Sequence, residues 1–323
     1  MPRSSNWAAT GGTWRRSFSG TWRDSGGSAR DGGSRQGGCD LLETVSLLVG
    51  TVLLRPYVFA FLAVYLFLAS RQIGWTRTIA WTIAGYAVAF AAEYGSVHWG
   101  VPFGDYYYIP ATQDRELWIA GVPFMDSLSF TFLSYTGFTC AWQIVAAWKT
   151  GPFLRHGSPA DPALYQGIRR SPAVLVVGAL ITTLLDVIID PVALMGERWF
   201  LGKIYGYRHE GFYFGVPLAN FVGWFAVSAA IIVVHQILDR WLPQAKASYG
   251  ARPIPYLALG GFALFFFVAA FNLAVALWLG AWGVFLAGAV LAAGFLFAAL
   301  RIVMAGRLFP MAEASGLNID RAR

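Results

Sequence analysis

The sequence predicts an all-α membrane protein, a polytopic helix bundle of about seven transmembrane helices. Hydrophobic residues make up 57% of the 323 residues and charged residues only 13%, whereas an average soluble chain has about 25% charged residues. Successive apolar runs of about 20 residues are each long enough to cross a hydrocarbon core about 30 Å thick. The formal charge of +7 then fits loops that face an anionic leaflet, and we expect no nucleic-acid partner.

Seven apolar runs follow one another, and three of them begin beside a proline, whose missing N–H costs nothing in the first turn of a helix. The predicted spans are 56–75, 78–97, 124–148, 172–194, 213–238, 254–279 and 282–304. The shorter run 41–54 is either an interfacial helix or the outer end of a kinked first span. The last two spans contain no charge before Arg301, and we expect them to be scaffold.

Composition divides the chain into three regions. Residues 1–40 are rich in Gly, Ser and Arg and poor in aliphatic residues, so they are expected to form a disordered tail. Residues 41–308 are the predicted transmembrane helical domain, and residues 309–323 a short polar C-terminal tail. The expected location is the cell (inner) membrane, as a multi-pass protein.

Costly polar groups gather at one end of the predicted helices. Because successive spans alternate in direction, the ends of the second and fourth spans share a membrane face with the starts of the first, third and fifth. These positions hold Arg55, Glu93, Asp126, Asp186, Asp190 and Asn220. A charge at the centre of a membrane helix costs at least about 2.5 kcal/mol, so intramembrane carboxylates are interpreted first as functional. Most basic residues lie at the opposite face, which predicts that the polar face points away from the cytoplasm.

Two aspartates one helical turn apart form the centre of this polar set. Asp186 is the deeper of the two. Pro191 disfavours helix at the preceding Asp190, so the alternative for Asp190 is a structural role at a helix end near water.

Two loops on the polar face share the pattern Gly-Val-Pro-(Phe/Leu)-x-(Asp/Asn), at 121–126 and 215–220. Glu93 lies 33 residues before Asp126, the last residue of the first pattern, and Asp186 lies 34 residues before Asn220, the last residue of the second. The arrangement indicates a weak parallel internal repeat that relates helices 2–3 to helices 4–5. Shared Gly-Pro turn chemistry is the alternative.

Motifs on this face resemble a known family. With Glu93 upstream, they are GVPFGDYYY at 100–108, GVPF at 121–124, LDVIIDP at 185–191 and GFYFGVPLANFVGW at 211–224. Together they resemble the integral-membrane carotenoid biosynthesis family, whose characterised members are the CruF-type hydratases, including bisanhydrobacterioruberin hydratase. The resemblance runs from Arg55 to Trp224 and continues more weakly through the last two spans. It implies addition of water to the terminal double bond of an acyclic carotenoid end group. The implied partners are the lipid bilayer, the carotenoid substrate and other carotenoid biosynthesis enzymes.

Hydration of such an alkene requires an acid and a base. Protonation of the less substituted carbon leaves a tertiary carbocation that water captures, so no metal and no cofactor is expected. Burial and a neighbouring carboxylate both favour the protonated form of a carboxyl group. Asp186 with Asp190 is therefore the predicted acid pair, and Glu93 or Asp126 the predicted base.

Other polar and aromatic residues of the same face are predicted to contact the substrate. They are Arg55, His98, Phe103, Tyr106, Tyr108, Asn220 and Trp224. Of these, Phe103, Tyr108 and Trp224 are the candidates for stabilising the cation with an aromatic face. The alternatives are an aromatic belt for the tyrosines, a hydrogen bond between helices for Asn220 and an ordinary interfacial position for His98.

Three other functions fit part of the pattern. A carotenoid end-group cyclase would begin with the same protonation but exclude water. A membrane prenyltransferase would use aspartates to hold magnesium diphosphate, and the D-x3-D spacing matches one such motif, although no second Asp-rich motif follows. A proton-coupled transporter would also bury carboxylates, but near mid-membrane on broken helices.

Overall fold

The computed structural model describes residues 33–150, 167–242 and 257–305. The chain divides into two units, residues 1–42 and 43–323, and of the first unit only the start of one helix is described. The described residues form eight helices: α1 (Gly33–Leu54), α2 (Pro56–Gln72), α3 (Trp75–Trp99), α4 (Phe124–Thr150), α5 (Pro172–Leu194), α6 (Leu218–Trp241), α7 (Gly260–Trp278) and α8 (Trp282–Ala305). The predicted all-α class is confirmed.

Four short strands interrupt the connections between helices. They are β1 (Tyr106–Tyr108), β2 (Trp118–Ile119), β3 (Val122–Pro123) and β4 (Tyr205–Tyr207). β2 pairs with β3 within one connection, whereas β1 pairs antiparallel with β4, with Tyr107 opposite Gly206. The β1–β4 pair therefore ties the α3–α4 connection to the α5–α6 connection.

Each predicted span corresponds to one helix, from α2 to α8; the boundaries of α5 agree with the prediction, and those of the other helices differ from it. Among the described residues, four segments are long and apolar enough to cross a membrane: α5, α6, α7 with its preceding 3₁₀ turn, and α8. A fifth is counted if the pair Leu41–Leu54 and Pro56–Gln72, bent by 91°, is one span. The protein is thus a membrane helix bundle. That it crosses the membrane seven times remains a prediction.

The run 41–54 is part of a longer helix, α1, which begins at Gly33 and so inside the segment predicted to be disordered. The rest of that segment, residues 1–32, lies outside the described residues, as do residues 306–323 with the predicted C-terminal tail. Those two predictions stay predictions.

Proline explains one departure from the predicted helix ends. The fifth span was expected from residue 213, but α6 begins at Leu218, because Pro217 has extended backbone angles (φ −76°, ψ 150°) and caps the helix. The fourth predicted span, 172–194, agrees with α5, which continues through Pro191 to Leu194. The alternative position of Asp190, at a helix end near water, is not the one observed, because Asp190 is buried one turn before the end of α5.

The centre of the bundle is α4, which packs against α2, α3, α5, α6, α7 and α8. Several of its buried hydroxyl groups donate to carbonyl oxygens of the same helix, for example Thr136 to Phe132 at 2.7 Å and Thr139 to Tyr135 at 2.9 Å. Such local bonds satisfy a hydroxyl without a partner from another element. They explain how a helix with so many polar residues can be more deeply buried than its more apolar neighbours.

Two glycines allow α4 and α5 to lie unusually close. A Cβ atom on Gly137 would collide with Thr182 Oγ1 and with the carbonyl oxygen of Gly178, and a Cβ on Gly178 would lie 3.3 Å from Phe138 Cα of α4. Small residues are what permits close approach of helices in membranes. Since α4 and α5 carry acidic residues of the polar face, this contact helps to set the distance between them.

Gly137→Ala is therefore expected to lower the melting temperature of the detergent-solubilised protein, because overpacking a tight contact costs about 1–3 kcal/mol. The matched control is Gly294→Ala on α8, where a Cβ would meet nothing within 4 Å and no loss is expected. Equal melting temperatures for the two variants would contradict the role assigned to this contact.

Candidate active site

A cavity of about 160 Å³ lies between α2, α3, α4, α5, α6 and α7 at the end of the bundle where β1 pairs with β4. Its size is close to that of engineered cavities of about 150 Å³ that hold a benzene ring. The cavity therefore has room for a group of about six carbon atoms.

One wall of the cavity holds the two aspartates of α5, whose side chains are linked by a single amide. Asn220, in the first turn of α6, donates from Nδ2 to Asp186 Oδ2 at 2.8 Å and to Asp190 Oδ2 at 3.0 Å. Asp186 is only 1% exposed and Asp190 7% exposed. The spacing of one helical turn on α5 brings both carboxyl groups to the same amide.

Asp190 accepts two further hydrogen bonds, both from strand β4. The hydroxyl of Tyr205 donates to Oδ1 and that of Tyr207 to Oδ2, the latter at 2.8 Å. Burial raises the pKa of both tyrosine hydroxyls well above the ordinary value, and the Asp190 carboxylate raises it further. Both tyrosines therefore stay protonated and act as donors. Both carboxylate oxygens of Asp190 therefore accept hydrogen bonds.

Asp186 differs from Asp190 in its hydrogen bonds. Its Oδ2 accepts from Asn220, but its Oδ1 is buried and has no partner among the described residues. Buried polar atoms nearly always have a partner, and an exception calls for an explanation. Asp186 lines the cavity, so a proton on Oδ1 would be available to a molecule bound there.

A second carboxyl pair comes from α3 and α4. Glu93 accepts a hydrogen bond from Ser127 Oγ, and the Tyr108 hydroxyl interacts with both Glu93 and Asp126. On the same strand, Tyr106 donates to Tyr108, with 3.4 Å between the hydroxyl oxygens. The two carboxyl pairs thus lie on either side of the paired strands.

Four tyrosines from the paired strands fill the space between the two carboxyl pairs. The ring of Tyr106 lies 6.2 Å from that of Tyr205 and 6.2 Å from that of Tyr207, measured between centroids. Its distance from the ring of Tyr108 is 5.3 Å. We call Tyr106, Tyr108, Tyr205 and Tyr207 the tyrosine cluster.

The remaining wall of the cavity is aromatic. Trp224 stacks on Phe130 with 3.9 Å between ring centroids and 13° between ring planes, and Phe103 lies 6.2 Å from Trp224. Across the cavity, Tyr57 of α2 stacks on Phe271 of α7 at 5.1 Å. The cavity therefore combines acidic and hydroxyl groups on one side with aromatic faces on the other.

The structure brings most of the predicted site residues together. All of the four carboxylates, Asn220, Trp224, Phe103, Tyr106 and Tyr108 line the cavity. Arg55 and His98 do not. The catalytic and substrate-binding roles of these lining residues remain predictions.

Arg55 has a structural position instead of a place in the cavity. It is buried, pairs with Glu116 through Nη2 and Oε1 at 2.9 Å and through Nε and Oε2 at 3.0 Å, and also donates to the Leu201 carbonyl oxygen. A buried guanidinium group is strongly unfavourable without a counter-charge. Glu116, in the α3–α4 connection, provides the carboxylate that pairs with Arg55. The prediction that Arg55 contacts substrate is corrected accordingly.

His98 lies outside the cavity, in the last turn of α3. Its ring is exposed and stacks on Tyr94 at 4.0 Å, with Nδ1 2.8 Å from the Tyr94 carbonyl oxygen. The rotation of α3 that brings Glu93 inward directs His98 outward. The prediction of a substrate contact for His98 is therefore corrected to the interfacial alternative.

Four residues that contact or line the site were not predicted from the sequence: Tyr205, Tyr207, Ser127 and Asn272. YGY at 205–207 resembles YYY at 106–108, and this likeness was the signal available for the first two. Asn272 lines the cavity from α7, so α7 is more than the scaffold that was expected.

Residues 46–295 match the sequence model of a protein family described as carotenoid biosynthesis protein. Every residue that lines the cavity falls inside this matched segment. No curated protein and no solved structure matches the chain.

Tyr207→Phe is expected to lower the melting temperature of the solubilised protein, because hydrogen bonds to charged groups contribute about 1.5–3 kcal/mol and Asp190 would lose a donor. Tyr107→Phe is the matched control, since Tyr107 lies on the partner strand but is 40% exposed. A larger loss for the control than for Tyr207→Phe would show that the hydroxyl of Tyr207 does not support Asp190.

Proposed function

Because the chain belongs to the family of carotenoid biosynthesis proteins, we propose that it adds water to the terminal double bond of an acyclic carotenoid end group. Family membership covers carotenoid biosynthesis in general, and the choice of hydration rests on the site. The observation that carries the proposal is the unpartnered Oδ1 of Asp186 in the wall of a cavity of end-group size.

Asp186 is the proposed general acid. Asn220 occupies its Oδ2 as a donor, so the proton belongs on Oδ1. Transfer of that proton to the less substituted alkene carbon forms a C–H bond, uses the π electrons of the double bond and leaves a tertiary carbocation. A positioned acid of this kind typically contributes 10²–10⁴-fold to the rate.

The aromatic wall suits the carbocation that this step leaves. A cation over an aromatic face gains about 2 kcal/mol or more when both are desolvated, and the stacked Trp224 and Phe130 offer such a face. Asp190 adds a negative charge nearby. Three hydrogen-bond donors hold Asp190 in place. Asp190 can therefore stabilise the cation electrostatically without forming a covalent bond to it.

Water captures the cation and forms the new C–O bond, and a carboxylate takes the proton that water loses. Glu93 and Asp126 are the candidates, because they line the cavity with the hydroxyl of Tyr108 beside them. Asp186 is left deprotonated after each turnover. The cycle then requires the proton to return from that carboxylate to Asp186, which lines the same cavity.

Hydration is favoured over cyclisation by the polar side of the cavity. A cyclase must keep water away from the cation, whereas four carboxyl groups and the tyrosine hydroxyls of this cavity would retain water. The same polar groups lie at one end of the bundle, where the end group of a membrane-spanning carotenoid would arrive.

The direct test is expression in cells that make an acyclic carotenoid, followed by mass spectrometry of the pigments. The expected product is heavier by one water per modified end. Unchanged pigments with several acyclic substrates would count against an enzymatic role in hydration, and a new pigment of unchanged mass would indicate the cyclase.

Asp186→Asn is expected to reduce hydrated product by 10²–10⁴-fold while the protein still accumulates in the membrane, because asparagine keeps the size but cannot deliver a proton to carbon. Asp190→Asn should retain more activity, since Asp190 is not the proposed donor. The control is Asp105→Asn, an exposed residue that pairs with Arg208 at the surface.

Product levels and membrane levels of the three variants would be measured together. Near-normal turnover by Asp186→Asn would remove Asp186 from the acid role and direct attention to Glu93 and Asp126.

Turnover in isolated membranes is expected to survive EDTA, because protonation and water capture as proposed use no metal ion. The measurement is hydrated product per unit time with and without chelator. Loss of turnover that magnesium specifically restores would move the assignment to the prenyltransferase class.

A further inference from the structure

At the opposite end of the bundle, three arginines surround one aspartate. Asp239, near the end of α6, pairs with Arg77 from the first turn of α3 and with Arg169 and Arg170, which directly precede α5. Arg170 Nε lies 2.7 Å from Asp239 Oδ2, and Arg170 Nη2 donates to the Asp239 carbonyl oxygen at 2.8 Å. We call these four residues the arginine cluster.

The arginine cluster has more positive than negative charge. Three guanidinium groups face one carboxylate, and the side chains of Arg77, Arg169 and Asp239 are only 4%, 7% and 1% exposed. A buried charge without a counter-charge is strongly unfavourable. In addition, Arg169 Nε is buried with no hydrogen-bond partner among the described residues. Within the described part of the chain, the cluster therefore lacks a second anion and an acceptor for Arg169 Nε.

Exposed tryptophans give the depth of the cluster relative to a bilayer. Trp75 lies two residues before Arg77 and is 62% exposed, and Trp241 lies two residues after Asp239 and is 82% exposed. Trp148, at the end of α4, is 51% exposed. Exposed tryptophans of membrane proteins concentrate at the level of the lipid headgroups. The arginine cluster is thus placed where phosphate groups of lipids are found.

The surface around the cluster has the same sign of charge. At this end of the helices, Arg71, Lys149, Arg240 and Arg301 are all exposed. Among the described residues of this end, Asp239 is the one acidic side chain. A headgroup with net negative charge would therefore be attracted, whereas a zwitterionic one would not.

We propose that the arginine cluster binds the phosphate of an anionic phospholipid headgroup. The planar guanidinium fork matches phosphate oxygens, which accept several of its N–H groups at once. Basic pockets between transmembrane helices are suited to anionic headgroups in this way. The bound lipid supplies the missing counter-charge and holds together the ends of α3, α5 and α6. This site is independent of the proposed reaction.

The first experiment uses the unaltered full-length protein in three kinds of nanodisc or buffer. These are phosphatidylcholine alone, phosphatidylcholine with phosphatidylglycerol, and phosphatidylcholine with inorganic phosphate in the buffer. The melting temperature should rise by a few degrees with phosphatidylglycerol and not with inorganic phosphate. Equal melting temperatures in the first two conditions would overturn the proposal. An equal rise with inorganic phosphate would overturn the assignment to a lipid.

Variants then separate the cluster from the general surface charge. Arg170→Gln changes the most exposed of the three arginines, at 29%, and should lose most of the rise caused by phosphatidylglycerol. Arg240→Gln removes an exposed charge of the same end and should keep the rise. Native mass spectrometry should find phosphatidylglycerol retained by the unaltered protein and by Arg240→Gln but lost from Arg170→Gln. Equal behaviour of the two variants would contradict a local site.

Asp239→Asn distinguishes a headgroup site from a purely structural ion pair. If the cluster binds an anion, removal of its carboxylate leaves three unpaired guanidinium groups, and the rise caused by phosphatidylglycerol should become larger than in the unaltered protein. If the cluster is only structural, the variant should melt lower by the same amount in both lipid compositions, and the proposal fails.

Discussion

Lipid offers no hydrogen bonds, so each carboxylate buried in this bundle must find donors within the protein. These hydrogen-bond donors belong to different helices or strands from the carboxylates that they bind. Asn220 of α6 serves both aspartates of α5, and the tyrosines of β4 hold Asp190. The acids can therefore be buried only when the two connections pair and cover the end of the bundle. The arginine cluster shows the same constraint at the other end, where one carboxylate faces three cationic donors.

The positions of the helices could be predicted because the apolarity needed for a membrane is a local property of the chain. The convergence of the acids also followed from the sequence, since alternating spans place the end of one helix beside the start of the next. Helix ends were less certain where proline intervened. Pro217 shortened α6 at its start, whereas α5 tolerated Pro191 inside the helix, which membrane helices can do when neighbouring groups compensate.

The remaining errors concern features that local sequence does not determine. The pairing of β1 with β4 joins segments about 100 residues apart. The likeness of YGY at 205–207 to YYY at 106–108 was a signal for Tyr205 and Tyr207, but it did not identify them as donors to Asp190. Arg55 finds Glu116 at a separation of 61 residues. His98 points outward because packing sets the rotation of α3 about its axis. Each case depends on a contact between distant segments, which residue type and spacing along the chain do not specify.

The size of the cavity has a kinetic consequence for a substrate with two like ends. If the proposed function holds, a cavity of about 160 Å³ would accept one terminus and leave the conjugated chain in the bilayer. Under the proposed function, the second terminus can react only after the molecule has left, reversed its direction across the leaflets and returned. Catalysis would then be distributive, with the singly modified carotenoid released as a free intermediate. Enzymes that act on the unmodified terminus would compete for it at that stage.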